Sequence, residues 1–240
     1  MMKRLSAILS ILMVFAVAGV LAQEKAANPE TESSVPELDA FHEIIYPIWH
    51  TAYPDKDIAA LKSYVPQINE LAAKIYAAKL PGILREKDAK WKAGLAEFKK
   101  SVDAYNAAAA GSDNEALLKA AEALHMRYEM LVRTIRPVLP QVDAFHKVLY
   151  VVYHSYLPEK KWDEVRKAAP ELDAKAEAVT KATLSKRLEP KTADFTAAAA
   201  GLKAATAELV ALGAGADGLA LVKAVDKIHA KYQALEKIFD

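Results

Sequence analysis

From Pro36 onward, apolar residues recur at three- and four-residue spacing, and β-branched runs are scarce. That period marks amphipathic helices rather than strands. The first hundred such residues divide into four helical segments, near 37–53, 55–80, 85–110 and 113–136. Pro54 ends the first, because a proline cannot continue a helix interior. Pro47 lies inside that segment and predicts a kink, and Pro66 predicts a break or kink in the second. "LPG" at 80–82 ends the second segment, and "AGSDN" provides a loop in which Asp113 or its neighbour can cap the fourth.

The same punctuation then returns. A shift of 104 residues aligns 36–136 with 140–240 without a gap. Pro54 meets Pro158, Pro66 meets Pro170, and "GSD" at 111–113 meets "GAD" at 215–217. So long a period indicates a duplicated unit, since solenoid repeats are shorter. Four helices on short loops pack most simply as an up-down bundle. The expected architecture is all-α, two tandem copies of a four-helix up-down bundle at 36–136 and 140–240. A single eight-helix body is the alternative.

The stretch before the helices differs in character. Lys3 and Arg4 precede an apolar run from Leu5 to about Val17, and "VLA" offers small residues before Gln23. This is the pattern of a signal peptide over 1–22, with an uncleaved anchor as the competing reading. The polar residues 23–35 read as a flexible linker. A periplasmic or secreted location follows, with no membrane association after cleavage. The chain has no cysteine, so disulfides, thiolate metal sites and iron–sulfur clusters are excluded. A net charge of +1 gives no electrostatic footprint for nucleic acid.

All six histidines fall on the repeat: His42 matches His146, His50 matches His154, and His125 matches His229. At 100° per residue, His42, Tyr46 and His50 form one stripe on the first helix, set off from the greasiest face. Tyr150 stands with His146 and His154 in the same way. Each copy also carries two acid-x-x-His pairs: Asp39/His42 and Glu122/His125, then Asp143/His146 and Asp226/His229. Residues three apart share a helix face.

Imidazole with carboxylate suits zinc, copper, iron or nickel, and facing histidines in a bundle also suit haem b. The tyrosines could join ferric iron or donate a hydrogen bond. Eight helical residues rise about 12 Å, so His50 is expected to meet His125, and His154 to meet His229. His42 and His146 lie nearer the junction. A ferritin-like di-iron centre fits less well, since Glu97 and Asp103 meet Gly201 and Ala207. The functional expectation is an exported protein holding a transition metal or haem for storage, carriage or sensing. The competing expectation is a cofactor-free interaction module, in which the histidine stripe packs between the copies, against a partner or in a homodimer. No catalytic triad, phosphate loop or H-E-x-x-H motif appears; an oxidase or other redox enzyme is the third reading, and it needs an open coordination position and a substrate pocket that the sequence does not display.

Overall fold

The computed structural model describes residues 28–239. The expected signal peptide and the start of the linker lie outside them. Among the described residues all regular structure is helical, and no helix is long and apolar enough to cross a membrane.

The first half comprises α1 (Pro36–Pro47), α2 (Ile58–Ser63), α3 (Val65–Ala77), α4 (Asp88–Ala110) and α5 (Asn114–Ile135). The second comprises α6 (Pro140–Val151), α7 (Trp162–Thr180), α8 (Thr192–Ala211) and α9 (Gly218–Lys237). Boundaries recur at the offset read from the sequence. A π turn follows α1 at Ile48–Ala52 and α6 at Val152–Tyr156. A 3-10 turn precedes α4 at Gly82–Lys87 and α8 at Lys186–Lys191. Lys56 and Lys160 both take positive φ, in matching loops. Asp113 and Asp217 cap α5 and α9 by accepting from the backbone N–H of Ala116 and Ala220.

The prolines behave differently from one another. Pro66 stands in the first turn of α3, where its missing N–H costs little, and the expected second segment is split there into α2 and α3. Pro170 lies inside α7, which runs on through it. Pro47 ends α1, but it does not cause the irregularity after it, because Val151 occupies its place before the second π turn.

Each half has its own buried cluster. In the first, Phe41 meets Phe98 edge-on at 5.2 Å, and the Tyr128 hydroxyl donates to the Leu38 carbonyl at 2.9 Å. In the second, Phe145 lies against Tyr232 among Leu149, Leu172, Leu202 and Ile228. Tyr150, on α6, belongs instead to the first half's cluster. The two clusters therefore interlock through one ring.

Residues 28–35 differ from the flexible linker expected over 23–35. Val35 is buried, the Glu30 carboxylate accepts from the Gly82 N–H at 2.8 Å, and Ser33 donates to Asp143 at 2.5 Å. Glu32 pairs with Lys147 at 3.3 Å. Polar composition suggested a tether, but Glu30 bonds to the turn at 82–87 of the first half while Ser33 and Glu32 bond to α6 of the second.

The matched caps lead to a prediction. Asp113→Ala and Asp217→Ala should each lower stability by about 1 kcal/mol, measured by urea unfolding. Ser112→Ala, outside the cap, should change it little.

Candidate functional site

The π turns decide where the rings go. A π turn widens the helix locally and is often found where function demands an odd register. His50 and His154 both lie in these turns, which also present Trp49 and Tyr153 to the last helix of each half. Trp49 stacks on His125 at 4.1 Å with planes 4° apart, and Tyr153 stacks on His229 at 4.0 Å and 12°. Tyr46 lies against His50 at 4.4 Å, and Tyr150 against His154 at 4.8 Å. His42 lies 6.3 Å from Tyr128, and His146 stacks on Tyr232 at 4.3 Å. One aromatic–histidine face thus occurs twice.

The two faces are not used alike. Tyr46 is 54% exposed, whereas Tyr150 is 6% exposed. The cause is the turn Gly82–Lys87, which lies over the second face. The Arg85 guanidinium sits 5.0 Å from the Tyr150 ring centroid; its Nη2 donates to the Tyr150 hydroxyl at 2.5 Å, and Nη1 lies 3.1 Å from His154 Nδ1. Glu86 meets His229 Nε2 at 3.2 Å and accepts from the Gln233 amide at 3.0 Å. Gly82 permits the approach, since a Cβ there would overlap the Tyr150 hydroxyl. On the first face, His42, Tyr46 and His50 remain exposed.

The predicted acids do not bind the predicted histidines. Glu122 accepts from Tyr53, Asp226 from Tyr153, and Asp143 from Ser33 while pairing with Lys147. Asp39 is exposed on α1. Helical spacing put each acid beside its histidine, but tyrosine hydroxyls and polar groups from other segments took the carboxylates. The expected meeting of His154 and His229 occurs, with ring centroids 6.3 Å apart and planes perpendicular. His125 stacks on Trp49, and only its electrostatic coupling links it to His50 and His42. Among the described residues, no three His, Asp or Glu side chains are arranged to hold a metal ion. Of the six histidines, His146 alone lines the cavity at the junction of the halves.

Sequence reasoning missed Arg85, Glu86, Trp49 and Tyr153. The first two were invisible to the internal comparison, because Glu189 and Pro190 occupy their places in the second half. The stacks Trp49–His125 and Tyr153–His229 were accessible in principle, since each aromatic precedes a repeated histidine by one residue.

Burial governs the electrostatics of the second face. It holds His146 down to about 3, helped by the like charges of His229, Lys87, His154 and Arg85. His154 is lowered by burial and by Arg85, and His125 by burial. An imidazole held neutral in the fold but protonated in the unfolded chain makes stability rise with pH. The contribution is complete above the ordinary histidine value of 6.5 and is lost as pH falls toward 3. The slope approaches about 1.4 kcal/mol per pH unit. Urea unfolding at pH 7.5, 6 and 5 should show this fall, and His146→Gln should flatten it by about one proton.

Compared with known protein families, curated proteins and solved structures, the chain matches none significantly.

Proposed function

We propose that this chain is an exported, internally duplicated pair of four-helix units that acts as a protein-interaction module. Its first aromatic–histidine face is the docking surface. One observation carries the reading: the equivalent face of the second half is already occupied by a peptide segment, Gly82–Lys87, with Arg85 against Tyr150 and His154. Tyr46 and His50 present the same pair to solvent. A guanidinium over an aromatic face contributes about 0.5–2 kcal/mol, and hydrogen bonding adds to it.

The partner's chemistry follows from the differences between the faces. Lys147 and Gln233 on the covered face correspond to Glu43 and Glu129 on the open one. Gln233 donates to Glu86, whereas a carboxylate at 129 would repel an acid there. The occupant is therefore a segment carrying an arginine after small and apolar residues, followed by a neutral or basic residue. A second copy of this chain fits poorly. Its corresponding turn has Lys186 where Gly82 makes its close approach and Glu189 in place of Arg85.

A synthetic peptide copying residues 80–88, with Glu86→Lys, serves as the probe. It should bind the full mature protein, and the Arg85→Ala peptide should bind at least tenfold more weakly, about 1.4 kcal/mol. Tyr46→Ala or His50→Ala in the protein should weaken binding similarly, by fluorescence anisotropy. Binding indifferent to those protein changes would sink the proposal.

The metal reading retains one favouring observation: the His154 and His229 rings lie 6.3 Å apart, with Glu86 on His229 Nε2. Holding an ion requires these side chains to rearrange, since among the described residues no three are placed to do so. Two imidazoles and a carboxylate suit zinc or non-haem iron. Metal analysis after zinc or iron loading, and absorbance after haem loading, should show uptake that His229→Ala removes. Metal and haem content equal to the buffer blank excludes this reading.

A further inference from the structure

Where the two halves meet, they enclose a cavity of about 570 Å³. Small-molecule sites commonly fall within about 300–1,000 Å³ and favour domain junctions. Part of the wall is apolar: Leu84 from the docked turn, Met130 from α5, Val138 from the crossover, Val142 from α6, and Phe239 after α9. Met130 and Val138 are both substantially exposed, at 50% and 43%. A cavity of this kind leaves apolar surface available to the body of a ligand.

The charge on the lining is one-sided once partners are considered. The carboxylates are committed. Glu86 binds Gln233 and His229, Asp143 binds Ser33 and Lys147, and Glu236 engages the Tyr232 hydroxyl. Arg133 is paired within its own helix, with Glu129 at 3.8 Å. Lys87, Arg136 and Lys237 also line the cavity, and none of them has an ion pair among the described residues. They come from three separate segments of the chain, on both sides of the junction. His146 at the cavity wall is fixed by its stack on Tyr232 and offers a polar ring edge.

We infer that this cavity binds a small amphipathic anion, with its apolar body against Leu84, Met130 and Val138 and its anionic head among Lys87, Arg136 and Lys237. The site is separate from the open face around Tyr46, and it stands whether or not that face docks a partner. Ligand there would bridge the halves, so binding should also raise the unfolding temperature, because a ligand that binds only the folded state stabilises it.

Decanoate, decan-1-ol and acetate separate the contributions of the chain and the charge. Isothermal titration of the full mature protein should show saturable one-to-one binding of decanoate below its micellar range. Decan-1-ol and acetate should each bind at least tenfold more weakly. Arg136→Gln with Lys237→Gln should weaken decanoate at least tenfold while leaving the circular dichroism spectrum unchanged. Val138→Glu, at an exposed position, should do the same by placing a negative charge in the wall. Absence of decanoate binding, equal binding of decan-1-ol, or binding unaffected by both substitutions overturns the inference.

Discussion

The closure of the turn Gly82–Lys87 over Tyr150 is the contact on which the molecule's architecture depends. It seats a ring from the second half in the first half's buried cluster. It sets Arg85 against Tyr150 and His154, and Glu86 against His229. It also orders the entry of the chain, because Glu30 accepts from the Gly82 N–H. Burying an aromatic side chain contributes a few kcal/mol on the usual area scale, and charge-assisted hydrogen bonds add direction. Without this contact the two halves share little beyond the crossover at 136–139 and the strap at 28–35.

Docking also explains why two related faces differ. On the covered face burial keeps His146 neutral, and every ring has a partner. On the open face the ring contacts persist: Trp49 still stacks on His125, and Tyr46 still lies against His50 with planes tilted by 40°. Those contacts need no docked segment, so the open face is preorganised. It carries Glu43 and Glu129 where the covered face has Lys147 and Gln233. The two faces share geometry and differ in charge, as expected if one serves the chain itself and the other serves a different partner.

Much of this was legible in the sequence. Periodicity identified the helices, and proline and glycine punctuation located most of their ends. The repeat predicted which histidines would occupy equivalent places, and Tyr46 and Tyr150 do share stripes with them. What periodicity could not reveal was the destination of each polar group. The acid-x-x-His spacing is local, whereas Asp143 is held by Ser33 and Glu122 by Tyr53, far away in the chain. Arg85 and Glu86 act across the junction and have no repeated counterpart, so a search for repeated chemistry passes over them. The π turns recur at the repeat offset but share no marker residue before them, since one follows a proline and the other does not.

Fluorine NMR of 3-fluorotyrosine-labelled protein tests the central contact most directly. Tyr46 and Tyr150 are assigned by substituting each with phenylalanine. The docked turn requires Tyr150 to be insensitive to exchange of H2O for D2O while Tyr46 shifts as a solvated ring. Gly82→Val should make Tyr150 shift like Tyr46 with helical content unchanged. A Tyr150 signal that is solvated in the wild-type protein, or that stays shielded in Gly82→Val, contradicts the account.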